Sequence, residues 1–157
     1  MATMTLLKAI NNALDQQLKN DKSVVLYGED AGFEGGVFRV TAGLQKTHGK
    51  DRVFDTPISE AGIIGTAIGM ASNGMRPVTE IQFSGFMFPG FNQMAVHMAR
   101  MRNRSRGNIT SRSWFACLMV AAFARLNTTV NPLRLSLRIF PVSNSSFLQR
   151  LMMPKGS

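Results

Sequence analysis

Acidic residues are missing from the last third of this 157-residue chain. Residues 1–107 hold 12 Lys and Arg against 9 Asp and Glu, a balance of +3, whereas residues 108–157 hold 6 basic residues and no acid, a balance of +6. About an eighth of residues are ordinarily acidic, so roughly six are expected in fifty. The charge of +9 therefore reflects a change of sequence character near Gly107 and not a basic face built for nucleic acid or membrane. Cysteine is nearly absent too. A single Cys117 excludes an internal disulfide framework and cannot make a zinc site alone, so no metal site is expected from this chain. No run of eighteen apolar residues occurs, and the N-terminus lacks a basic segment followed by an apolar one. The expectation is a soluble, cytoplasmic protein with no membrane partner. The two histidines, His48 and His97, have no nucleophile or acid arranged around them in the sequence, and neither is assigned a catalytic role.

What is present reads as one domain's worth of α/β sequence. "TLLKAINNALDQQLKNDKS" sets Leu6 or Leu7, Ile10, Ala13 or Leu14, and Leu18 on one stripe of an opening helix. "SVVLYGED" is an apolar run, Val24 to Tyr27, closed by glycine and two acids, as a buried parallel strand and its carboxyl-end loop would be. A glycine-rich loop follows, then a brief helix near Thr41 to Thr47 stopped by Gly49. "DRVFD" is short enough to be a strand or a connector. "FDTPISEAGIIGTAIGMASNG" begins a helix with Pro57 and Ser59 and ends it near Asn73 and Gly74. "RPVTEIQF" reads as a strand and "PGFNQMAVHMARMRNR" as a helix, with Phe91, Met94 or Ala95, Met98 and Met101 turned inward and arginines gathered at its negative end. The alternation predicts an α/β layer with a mostly parallel sheet and flanking helices.

Glu60 stands out as the one carboxylate at the mouth of an uncharged helix. An acid in the first helical turn is favoured by free backbone N–H groups and the dipole, which explains it without any ligand. The glycines at 62, 65, 69 and 74 pull the other way: each interior one costs on the order of 1 kcal/mol against alanine, so a close neighbour, backbone or flat ligand, is expected. Glu29 and Asp30 are a solvated strand end or acids reaching the same place as Glu60. Phe83, Phe86, Phe88 and Phe91 are core or interface aromatics, or a stacking platform.

Three blocks, "YGEDAGFEGGVFRVTAGL", "RVFDTPISEAGIIGTAIGMASNGMRPVTEIQF" and "FNQMAVHMARMRNRS", resemble the beta subunit of the thiamine-diphosphate-dependent decarboxylating component of 2-oxo acid dehydrogenase complexes, of the pyruvate, branched-chain and acetoin type. The resemblance covers essentially all of residues 3–107. It implies a partial, transketolase-like pyrimidine-binding domain over residues 1–107. Glu60 matches the glutamate that hydrogen-bonds the aminopyrimidine ring nitrogen and so favours the imino tautomer that activates the thiazolium. Phe86 matches the aromatic packed on that ring, Ile58 lies where the family's backbone meets it, and Glu29 matches an acid in the chain linking paired active sites. The diphosphate and its Mg2+ belong in the family to the alpha subunit of an alpha2-beta2 heterotetramer, which passes acyl groups to a lipoyl-bearing dihydrolipoyl acyltransferase. The implied activity is oxidative decarboxylation of a 2-oxo acid; no glycine-aspartate-glycine metal motif occurs here, so this chain is expected to be inactive alone.

After "RNRSRG" the match ends, and residues 108–157 are expected to be out-of-frame translation, poorly ordered. Reading the last base of each codon with the first two of the next tests that idea on the protein letters. Trp114 with Phe115 forces valine, Met119 with Val120 forces glycine, and Met152, Met153 and Pro154 force aspartate and alanine, each where the family's continuation has it. The rival is a non-catalytic interaction module whose basic tail, with Arg112, Arg125, Arg134, Arg138 and Arg150, binds nucleic acid or membrane. Those charges stand singly among apolar residues and form no stripe, so no nucleic-acid partner is expected.

Overall fold

The structure, a computed structural model, describes residues 5–109 and the backbone of residues 114–119 and 136–141. It opens with α1 (Leu6–Asn20), capped by the Thr5 hydroxyl, which accepts from the Lys8 N–H at 3.3 Å. α1 is held from Asn11 onward: Asn11 Nδ2 donates to Val40 O and Ala42 O, Asp15 meets His48 at 2.8 Å, and Leu18 is buried. Leu6 and Leu7, one or the other of which the pattern places on the inward stripe, are 53% and 38% exposed, because the first turn projects beyond these contacts.

Among the described residues, five strands form one sheet in the order β2-β1-β3-β4-β5. β1 (Val24–Gly28) is buried along its whole length. It pairs in parallel with β2 (Val53–Asp55) on one side and β3 (Arg76–Phe83) on the other. β4 (Trp114–Met119) continues parallel beside β3, and β5 (Ser136–Pro141) closes antiparallel. The expectation of a poorly ordered tail falls mostly outside the described residues.

Side-chain alternation along the strands divides the core in two. On one face Val24, Leu26, Val53 and Val78 pack with Leu18 of α1 and Leu44 of α2 (Leu44–His48). On the other, Tyr27 and Ile81 pack with Ile63, Ile64, Ala67 and Ile68 of α3 (Glu60–Ser72) and with Met94 and Met98. Each such large apolar side chain contributes about 1.5–3 kcal/mol on burial, so the two layers together clamp β1, β2 and β3.

The first half of the helix predicted over 89–104 is less regular than its periodicity suggests. A 3-10 segment spans Ser84–Gly90, a wide π turn spans Gln93–Met98, and α4 covers Ala99–Arg104. Met94 and Met98 face the core as expected, but Phe91 is 40% exposed. The wide turn resets the helical phase, which removes Phe91 from the stripe. The glycines of α3 also differ from expectation. A Cβ on Gly69 would meet nothing within 4 Å, and one on Gly65 would only graze Gln93 at 3.8 Å. The close approach comes from across the interface, at Gly90: a Cβ there would strike Ile64 Cδ1 and lie 3.0 Å from Glu60 O.

Candidate functional site

The chain leaves β1 toward β2 on one side and later returns to β3 on the other. The crevice beyond the carboxyl ends of β1 and β3 is thus a topological switch point, where open α/β sheets bind ligands. Glu29 follows directly on β1. Its side chain is 4% exposed, and its Oε1 has no hydrogen-bond partner among the described residues. Burial, then the charge of Glu60, then that of Asp30 raise the Glu29 carboxyl above the usual glutamate range. Thr56, just past β2, donates its N–H to Gly28 O at 3.0 Å, which sets it beside the end of β1. The Thr56 hydroxyl is a second buried polar atom lacking a described partner.

Glu60 is the first residue of α3 and is half-buried. The preceding Ser59 caps the helix through its hydroxyl, which accepts from Gly62 N at 3.4 Å. Glycine at position 62 leaves that cap room, since a Cβ there would sit 3.0 Å from Ser59 Oγ. Ile58, two residues before Glu60, is 83% exposed. Phe86 lies on the 3-10 segment whose end, Gly90, rests on Glu60 O; it is 47% exposed and meets Phe83 edge-on at 5.4 Å. Phe83 meets Phe38 in the same manner at 5.4 Å, so three rings run from the glycine-rich loop to the 3-10 segment. The arrangement is a buried acid, Glu29, whose proton is held more tightly by burial and by the nearby charge of Glu60, with exposed apolar side chains on either side. Such an acid can hold or pass a proton at the end of a strand.

The opposite face of the sheet carries an acid to which sequence reasoning gave no role. Glu80 is buried in β3, its Oε2 unpartnered among the described residues, and burial with the charge of Asp30 pushes its carboxyl up to about 7. The signal was visible: an acid inside an otherwise buried strand, "RPVTEIQF", needs an explanation. Phe38 and Thr56 had no such signal, because only the fold brings them to the crevice. Asp55 holds the loop after β1 by accepting from Gly32 N at 2.6 Å and Phe33 N at 3.0 Å. No group of three His, Cys, Asp or Glu placed to hold a metal ion occurs among the described residues.

A family model for the transketolase pyrimidine-binding domain matches residues 2–120. The chain belongs to that family. Among curated proteins it is similar to pyruvate dehydrogenase E1 component subunit beta of Acholeplasma laidlawii, 64% identical over 110 residues, 70% of this chain and 34% of the relative. The Mycoplasma genitalium subunit of the same name is 56% identical over 105 residues, 67% of this chain and 32% of the relative. That of Staphylococcus aureus is 57% identical over 111 residues, 71% and 34%. The chain therefore spans about a third of the length of the curated relatives it matches.

Proposed function

We propose that this chain supplies the aminopyrimidine-binding half of a thiamine-diphosphate site, as part of the beta subunit of a 2-oxo acid dehydrogenase decarboxylating component. The pair of acids, buried Glu29 and half-buried Glu60, carries the reading. A ring nitrogen needs a proton-sharing carboxyl in a poorly solvated place, and the unpartnered Glu29 Oε1 and Thr56 Oγ1 leave polar capacity for a ligand or its waters. Glu60 shares its proton with the ring nitrogen. Glu29 keeps a second protonable oxygen behind it, and Ile58 and Phe86 offer apolar surface to the ring. Thiamine diphosphate, when bound, supplies the carbon centre at which a 2-oxo acid loses carbon dioxide. The relatives' names support pyruvate as that acid.

The remaining parts come from elsewhere: an alpha subunit that holds the diphosphate and Mg2+ in an alpha2-beta2 assembly, and a lipoyl-bearing dihydrolipoyl acyltransferase that takes the acyl group, in the cytoplasm. This chain alone is inactive. Glu60→Gln in a full-length, in-frame subunit assembled with its alpha partner tests the reading. Deuterium exchange at the cofactor's thiazolium carbon should fall by about 100-fold or more while assembly is retained. Exchange at the unaltered rate would remove Glu60 from the assignment.

Residues 108–157 are an out-of-frame continuation, so that residues 1–107 are a partial pyrimidine-binding domain. The absence of acids there and the short stretch of relatives matched support this. Strand β4 is compatible with it, since an apolar run can satisfy the edge of β3 through backbone hydrogen bonds whatever its origin. Sequencing the gene across the codon for Gly107 decides the matter: a second frame that does not encode the family's continuation ends the idea.

A further inference from the structure

We propose that Glu80 is a proton-dependent positioning residue: its neutral carboxyl seats the Asp30–Gly36 turn against the middle of β3, beside the end of β1, and its ionised form dislodges that turn and shifts Glu29 with it.

Two glycines press bare backbone onto this side chain. Gly28 lies opposite Glu80 in the β1–β3 register, and a Cβ there would strike Glu80 O and stand 2.9 Å from Glu80 Cβ. Gly36, in the left-handed region at φ +77°, approaches the carboxyl itself: a Cβ would lie 2.7 Å from Oε1 and 3.0 Å from Oε2. Any side chain at 36 would therefore displace either the turn or the acid. The turn is closed by Gly36 N donating to Asp30 O at 2.7 Å, and it is stitched to the following segment by Thr41, whose N–H donates to Gly35 O at 3.0 Å and whose hydroxyl donates to Ala31 O at 2.7 Å. These bonds tie the turn together, and the residue before it is Glu29.

The charges around Glu80 leave its anion uncompensated. Asp30, at the head of the turn with φ 57°, acts on it as a like charge. Gln82, two positions along β3, donates to Asp30 Oδ2 at 3.5 Å. β1 brings only Gly28 opposite it, and β4 brings Ala116, with no acid or cation anywhere in Trp114–Met119. Asp15 of α1 pairs with Lys19 and His48, Lys8 of α1 and Lys46 of α2 form no ion pair among the described residues, and in the loop Arg39 is engaged by Glu34; β2 adds a further acid, Asp55, opposite Gly28, which accepts from Gly32 N and Phe33 N. An anion in that position keeps neither a cation nor a donor for Oε2, so it must find water, and the covering turn is what excludes water. The carboxyl's rise to about 7, from burial first and Asp30 second, puts the changeover near neutrality.

The inference concerns this chain's own fold, so its failure leaves the cofactor reading standing. The test is a pH titration of the 157-residue chain followed by carboxyl carbon and amide NMR. The Glu80 carboxyl should titrate near pH 7, the Gly36 and Thr41 amides and the Glu29 carboxyl should shift with the same midpoint, and Glu80→Gln should abolish that shared transition while keeping the low-pH amide positions. Ionisation of Glu80 at the ordinary glutamate value, or an unchanged Gly36 transition in Glu80→Gln, overturns the proposal. Should Glu80→Gln fail to fold, Asp30→Asn carries the test: the Gly36 midpoint must move to lower pH, and an unmoved midpoint refutes the assignment.

Discussion

Tyr27 illustrates how single side chains hold this fold. Its ring stacks on Phe54 at 5.0 Å with the planes parallel, and its hydroxyl donates to Ile63 O at 2.9 Å, tying β1 to the second turn of α3. Burial raises the phenol's pKa well above its ordinary value, so it remains a donor at any physiological pH. Tyr27→Phe should cost about 0.5–1.5 kcal/mol in urea unfolding, since the ring packing survives and one hydrogen bond is lost. Gly90 is the more sensitive position. Alanine there drives a methyl into Ile64 and the Glu60 carbonyl, and a loss of about 1–3 kcal/mol is expected, with the first turn of α3 displaced. Glu60 was findable from sequence as an isolated acid at a helix start, and Glu29 as an acid at a strand end. The sequence left open whether Glu29 reaches the same place as Glu60, because that depends on which face of the sheet each side chain takes; the charge of Glu60 does act on Glu29.

At the scale of elements, α3 and its neighbours divide the work between capping and packing. Gly69 lies in the exposed interior of α3 with nothing within 4 Å of a Cβ, so it costs helix stability without easing any contact among the described residues. Gly69→Ala should raise stability by roughly 0.5–1 kcal/mol, the opposite sign from Gly90→Ala, and thermal melts of the two variants check both. The junction between α1 and β1 depends on Arg52, whose Nε donates to Val24 O at 2.6 Å and whose Nη2 donates to Leu18 O and Asp21 O at 3.1 and 2.8 Å. Arg52→Ala leaves three carbonyls without that donor and should destabilise by about 1.5–3 kcal/mol, read from the same urea midpoints. By its letters "DRVFD" fits a strand or a connector; pairing of Leu26 with Val53 makes it a strand. Three residues carry too little periodicity to say so in advance.

Over the whole molecule, stability should fall as pH rises from mildly acidic to neutral. Glu80 is raised from 4.5 to about 7 and Glu29 is raised as well, so the folded chain binds these protons more tightly than the unfolded one. Their contribution is complete below 4.5 and is lost as pH climbs through the folded values. Asp15 and Asp21 act in the reverse sense. Hydrogen bonds from Lys19 and His48, and from Ser23, lower them from 3.8, so their contribution is lost as pH falls below that value. Melting temperature against pH should therefore peak between these two ranges and decline toward neutrality; a curve still rising at pH 7 would contradict the burial of the two glutamates.

The amino-acid order was sufficient for the α/β class and for the positions of β1, α3 and β3, because period and capping are local properties. Tertiary structure decided the rest. Only the strand order places the end of β1 at a switch point, only the two-sided sheet puts Glu29 with Glu60 and Glu80 with Asp30 on opposite faces, and only the packing of Gly90 and Gly36 shows which glycines matter. Those outcomes depend on distances between residues far apart in the chain, and no local pattern encodes them.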